Sequence, residues 1–132
     1  MKLAKLIKLP FYQENHGDLV VAEGRNIPFK INRVFNVRQK KGDLRGKHAH
    51  RLCIQLLICA NGALEVKCSD TKISETYVLD KPSLGLIIPP GVWADQRYLE
   101  DNTILTVLCD QPFDESDYIR SYEEFILFKQ NT

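Results

Sequence analysis

The 132-residue chain has almost no charge imbalance: 18 Lys and Arg stand against 17 Asp and Glu, a formal net charge of +1. A general nucleic-acid binder carries a basic face, so no nucleic-acid partner is expected. Lys40, Lys41, Arg45 and Lys47 form only a local basic group, with Arg25 and Arg33 upstream. No apolar run approaches the roughly 20 residues that a membrane-spanning helix needs. The N-terminal MKLAKLIKLP has Lys2, Lys5 and Lys8 within it, which leaves no h-region for a signal peptide and leans toward an irregular strand. No membrane partner and a cytoplasmic location are the expectations. The four cysteines, Cys53, Cys59, Cys68 and Cys109, show no C-x-x-C spacing, which argues against a zinc clip. Each lies in an apolar, strand-like run and reads as a buried free thiol, in keeping with a reducing compartment. No linker, repeat or low-complexity tract divides the chain, so 1–132 reads as one domain.

What is present is mostly strand signal. Leu19–Glu23 is short and β-branched. In Phe29–Val37 the residues Phe29, Ile31, Arg33, Phe35 and Val37 share one face, with an arginine in its middle that either lines a cavity or marks an exposed edge. Cys53–Ala60 is a nearly continuous apolar run, as in a wall covered on both sides. Asn61-Gly62 predicts a tight hairpin, with Ala63–Cys68 as the returning strand. Ser69-Asp70 predicts another turn, followed by Ile73–Leu79, Leu84–Ile88 and Ile104–Cys109. Asp114 to Asp117 supply N-cap candidates, and Tyr118, Tyr122, Phe125 and Ile126 recur at helical spacing. Short strands, Gly/Pro/Asn/Asp turns and one late helix predict an all-β barrel or sandwich with a C-terminal helix.

The chemistry concentrates in Gly42–Gly62. His48 and His50 are two of only three histidines, and on a strand they share a face about 6–7 Å apart. The segment resembles the first cupin motif: Gly42, five residues, His48-Ala49-His50, four residues, Gln55, six residues, Gly62. The cupin glutamate is replaced by Gln55. The second cupin motif is matched by Pro89-Pro90-Gly91-Val92-Trp93, but its final histidine is replaced by Ala94. An amide is a poor ligand for a hard divalent cation and alanine is none, so no metal and no cofactor are expected. Two imidazoles without a metal suit proton transfer near neutrality.

Taken in order, IPFKINRVF (27–35), RGKHAH (45–50), QLLICANG (55–62), GLIIPPGVW (85–93) and DESDYIRSYEEF (114–125) resemble the TDP-4-keto-6-deoxyglucose 3,4-ketoisomerases. The resemblance runs from about Leu19 to Phe128. It implies a small metal-free cupin barrel, usually homodimeric, acting on a TDP-linked keto sugar in the synthesis of acetamido-dideoxy sugars for bacterial surface glycans. Two positions depart from that pattern: Ala94, where a histidine is common, and Phe35-Asn36, where a tyrosine pair is common.

The resemblance further implies roles. His50 is expected as the base or acid at carbon, with His48 orienting it or carrying the oxygen proton. Arg33 and Gln55 are expected as donors to the developing oxyanion. Arg45 and Arg33 are expected to take the diphosphate, although strict alternation sets Arg45 opposite His48 unless Gly46 breaks the phase. Trp93 either stacks on the base or sugar or packs. A sugar-binding module without activity and a nucleotide-sugar epimerase are the competing readings.

Overall fold

The computed structural model describes residues 2–132. Twelve strands run in chain order: β1 Lys5–Lys8, β2 Phe11–Glu14, β3 Gly17–Val20, β4 Arg33–Gln39, β5 Leu44–His50, β6 Gln55–Asn61, β7 Leu64–Ser69, β8 Ser74–Leu79, β9 Leu84–Ile88, β10 Trp93–Tyr98, β11 Thr103–Cys109 and β12 Tyr118–Ile119. A 3-10 turn, Glu115–Asp117, precedes β12, and helix α1, Tyr122–Gln130, ends the chain.

The strands form two five-stranded antiparallel sheets, ordered β1-β9-β6-β11-β4 and β12-β5-β10-β7-β8, plus the separate hairpin β2-β3. Inward residues of both sheets, among them Leu57, Leu86 and Val107 on one and Val66, Leu79 and Tyr98 on the other, share one buried cluster. Burial of such apolar surface is the main force holding the sheets together. This is the expected cupin-type double sheet with one C-terminal helix. All four cysteines are buried free thiols, as read from the sequence.

Several elements differ from the expectation. Asn61-Gly62 does not turn a hairpin. β6 pairs with β9 and β11, whereas β7 pairs with β8 and β10, so the chain crosses between sheets there. Gly62 serves that crossing: at φ +86° an added Cβ would lie 2.4 Å from Thr103 Oγ1. The Ser69-Asp70 turn does connect a hairpin, with Ser69 opposite Ser74. The alternation of 29–37 breaks before Arg33. Phe29 and Ile31 pack on an outer cluster around Leu56 and Leu108, while Phe35 and Val37 face the central core. The Leu19–Glu23 signal ends as a strand at Val20. β10 escapes the sequence reading because Asp95, Gln96 and Arg97 mask its inward set of Ala94, Gln96 and Tyr98.

The helix begins later than predicted. Ser121 is its N-cap, accepting from Glu124 N, the S-x-x-E arrangement of a capping box. Asp114 caps the 3-10 turn instead, and Tyr118 lies outside the helix in an extended bridge to β5. Phe125, fully buried, docks α1 against Ala49, Trp93 and Ile119.

Candidate active site

β5 carries the histidines, and its regularity is broken where the sequence allowed it. Gly46 and Lys47 both have positive φ, +83° and +54°. Against β10, His48 lies opposite Ala94 and Gly46 opposite Asp95, which leaves Lys47 as the extra residue of a bulge. The bulge shifts the phase by one residue. Arg45 and His48 therefore line the same cavity, where strict alternation would have opposed them.

That cavity has a volume of about 380 Å³ and opens between the two sheets. Arg33, Arg45, Gln55 and His48 of the expected set line it, together with Gln96, Phe113, Tyr118 and Arg120. His50 stands just behind this wall, 6% exposed. Its Nδ1 lies 2.8 Å from Asp117 Oδ2, and its Nε2 is sealed from solvent without a hydrogen-bond partner. The His48 and His50 rings meet edge to face with centroids 5.0 Å apart. Tyr118 covers both, at 5.2 Å and 4.4 Å.

Of the two readings of Trp93, stacking on a ligand or packing, the structure shows packing. Its ring packs on Tyr122 and Phe125 of α1, and its Nε1 donates to Asp95. Trp93 begins β10 with its side chain on the α1 side of the sheet, so it anchors the helix outside the His48 cavity. A larger hollow, about 620 Å³, lies against Leu3, Ala4, Leu6, Tyr77 and Ile87, away from the histidines.

Three guanidiniums converge on the cavity. Arg33 donates from Nη1 to the Tyr118 hydroxyl at 3.0 Å and lies over the Phe35 and Phe113 rings. Arg120 sits 4.3 Å from the Tyr118 ring centre and is held by a two-pronged pair with Glu115, at 2.7 and 2.9 Å. With Arg45 they form a cationic wall suited to a multiply charged anion.

Burial pushes the His48 pKa down to about 4, aided by nearby His50, Arg120 and Arg45 and opposed by the Gly46 backbone. Burial also lowers His50, although the Asp117 carboxylate pulls the other way. Burial would raise Asp117, but bonds from His50 and from the Leu52 N–H hold its carboxyl below the ordinary range. At neutral pH both imidazoles are thus uncharged and Asp117 is ionised. Nδ1–H of His50 donates to Asp117, so its Nε2 carries a lone pair.

The cupin ligand positions do not fit a divalent cation. Ala94 has no donor atom, the Gln55 amide nitrogen is turned to Cys109 Sγ at 3.7 Å, and His50 is bonded to Asp117. Another donor set, His50, Cys53 and Asp117, has its ligand atoms within 4.8 Å of one another. Its carboxylate already accepts from His50 and Leu52. It reads as a hydrogen-bond network that fixes the histidine.

Asp117, Tyr118, Arg120 and Gln96 were missed as site residues. By spacing alone Asp117 reads as an N-cap candidate and Tyr118 as a helix residue, and Arg120 falls in the same stretch. The Ser121-x-x-Glu124 capping box was the available signal that the helix begins at Tyr122 and leaves Tyr118 free. Gln96 had no sequence signal, because the strand that carries it was not recognised.

Fold and cavity together define a cupin-type protein with the His48 imidazole and three guanidiniums on the wall of a cavity between its two sheets. Residues 2–130 match the family described as FdtA: WxcM-like, C-terminal, and the chain belongs to that family. It is 37% identical over 123 residues to the TDP-4-oxo-6-deoxy-alpha-D-glucose-3,4-oxoisomerase of Aneurinibacillus thermoaerophilus, covering 92% of this chain and 88% of that one. Its fold matches QdtA, a sugar 3,4-ketoisomerase from Thermoanaerobacterium thermosaccharolyticum solved with TDP, at TM-score 0.92 and 34% identity, covering 98% of this chain and 96% of that one. A histidine-to-asparagine variant of QdtA, solved with TDP-4-keto-6-deoxyglucose, matches at TM-score 0.93 and 32% identity, covering 99% and 96%.

Proposed function

We propose that this protein is a 3,4-ketoisomerase that moves the carbonyl of a TDP-4-keto-6-deoxyhexose from C4 to C3 by proton transfer alone. The observation that carries the reading is His48: an uncharged imidazole on the wall of a cavity that also holds three arginines. Relatives of the same family are named for this reaction.

The chemistry needs one base at carbon and one exchange between oxygens. His48 removes the proton from C3, which is acidified by the neighbouring C4 ketone. The electron pair moves into a C3–C4 double bond and leaves the C4 oxygen as an enolate. The C4 oxygen then gains a proton while the C3 hydroxyl loses its own. The protonated His48 returns a proton to C4 as the C3 carbonyl forms. Atoms and charge are conserved, and neither redox cofactor nor metal is consumed.

Cavity geometry favours His48 over His50 for the carbon step, a reversal of the roles expected from the sequence. The free nitrogen of His50 is sealed, so it cannot meet a ligand without moving. The His50–Asp117 pair is assigned to supporting the His48 ring when it becomes cationic. Tyr118, whose oxygen accepts from Arg33, keeps its own O–H to serve the oxygen exchange. Arg33 and Gln55 belong near the developing oxyanion, and Arg45 with Arg120 at the diphosphate.

A homodimer and a cytoplasmic location are part of the same proposal. Among the described residues the β2-β3 hairpin pairs with no other strand, and it exposes Phe11, Tyr12 and Leu19, an apolar face that a second copy would cover. No helix among the described residues is long and apolar enough to cross a membrane.

The test is incubation with TDP-4-keto-6-deoxyglucose in deuterated water, followed by NMR. A 3-keto product with deuterium at C4 is expected, at a rate unaffected by chelator. Saturable binding without exchange would instead make the protein a sugar-nucleotide sensor. Exchange with the ketone left at C4 would make it an epimerase.

A further inference from the structure

Gln96 is a polar side chain in a place that normally takes an apolar one. It points inward from β10 between Ala94 and Tyr98, both members of the central core, and is 9% exposed. A buried amide needs partners, and one lost without compensation costs free energy. Here one end is satisfied and the other is not. Gln96 Oε1 accepts from the fully buried Tyr98 hydroxyl at 3.0 Å. Gln96 Nε2 has no hydrogen-bond partner among the described residues, yet it is not among the atoms sealed from solvent. The residue lines the His48 cavity, so the free amide N–H group opens there.

The backbone across from it is arranged to admit this side chain. An added Cβ on Gly46 would lie 3.4 Å from both Gln96 Cγ and Cδ, and 2.9 Å from the Ala94 carbonyl oxygen. The bare backbone of β5 thus lets the amide lie over it and reach the cavity. Burial pushes the Tyr98 phenol up to about 12, so that its hydroxyl keeps a proton to donate at working pH.

On the ketoisomerase reading, we infer that Gln96 is a substrate-positioning residue: Tyr98 locks its amide so that Nε2–H donates to the sugar carbonyl oxygen beside His48. A carbonyl offers only acceptor lone pairs, so the locked N–H donor can meet it directly. Unlike the arginines, Gln96 adds no charge, so it does little for the diphosphate. It holds the carbonyl where the enolate charge will appear.

The experiment compares wild type with Gln96→Ala, Gln96→Met, Tyr98→Phe and the double variant Gln96→Ala/Tyr98→Phe. Each is checked by circular dichroism and by calorimetric titration with TDP alone. Gln96→Met keeps the side-chain length without a donor and serves if Gln96→Ala does not fold. Loss of the donor is expected to lower kcat by about 10- to 1,000-fold, with TDP affinity within about threefold of wild type. Tyr98→Phe is expected to lose less, and the double variant to match Gln96→Ala alone, because Tyr98 acts only through the amide. A folded Gln96 variant with kcat within twofold of wild type would overturn the inference. So would an equal weakening of TDP binding, or additive losses in the double variant. A wild-type protein that binds TDP but does not convert the keto sugar would sink the ketoisomerase reading itself, and this inference with it.

Discussion

His50 Nδ1 and Asp117 Oδ2 lie 2.8 Å apart, joining β5 to the turn before β12 across 67 residues of sequence. The bond selects the tautomer of His50, and Asp117 in turn accepts from the backbone N–H of Leu52 at 2.6 Å. One carboxylate therefore pins both the ring and the loop behind it.

Asp117→Asn keeps the size of the acceptor but removes its charge. Hydrogen bonds to charged groups contribute about 1.5–3 kcal/mol, so kcat is expected to fall about 10- to 100-fold. TDP affinity should hold, since Asp117 is not part of the cavity wall. Steady-state kinetics with calorimetry on the same preparations decides it. An unchanged kcat would show that the pair is only structural.

His48→Asn and His50→Asn separate the two imidazoles. Removing the group at carbon should cost about 10²–10⁴-fold in turnover and should abolish deuterium entry into the sugar. His50→Asn is expected to leave slow but measurable exchange. Exchange lost in the His50 variant and kept in the His48 variant would reverse the assignment made from the cavity geometry.

The pH profile carries a signature of burial. His48 stays uncharged until about pH 4, so the acid limb of kcat/KM should fall near pH 4 rather than near the ordinary imidazole value of about 6.5. Stability follows the same linkage. As pH drops below about 6.5 the unfolded chain takes up a proton at this position before the folded one does. The contribution is therefore fully present above that pH and is lost progressively down to about 4. Thermal melts from pH 8 to 4 should show this decline, and His48→Asn should flatten it.

Gly46→Ala tests the bulge. At φ +83° an alanine is strained, and its Cβ would meet the Ala94 carbonyl oxygen at 2.9 Å. A penalty of about 1–3 kcal/mol is expected for such a backbone conformation. Activity should fall further than stability predicts, because Arg45, His48 and Gln96 all depend on that turn of the strand. Denaturant titration beside kinetics would show whether the two losses part. Equal losses would mean that the bulge serves folding alone.

Sequence patterns carried the fold far. Alternation in Ile73–Leu79, the apolar run into Cys59, the β-strand ended by Pro89-Pro90 and the turn at Ser69-Asp70 all depend on local chemistry, which the chain displays openly. The same holds for the histidine pair, because a strand places residues two apart on one face. Gly46 as a break in phase was legible for a similar reason: a glycine beside a motif is a local fact.

What only the tertiary structure decided are relationships between distant segments. Asn61-Gly62 looks the same whether the chain turns back or crosses to the other sheet. The difference lies in whether β6 finds β11 and β9 as neighbours, and that competition is settled by packing across the whole core. Asp117, Tyr118 and Arg120 look like the start of a helix until β5 offers Tyr118 an edge to pair with. Trp93 looks equally suited to a ligand or to packing until α1 folds over it. Residue order specified which side chains were available for chemistry. Non-local hydrogen bonding and the exclusion of water decided which of them meet in one cavity, since those energies exist only once segments far apart in the chain come together.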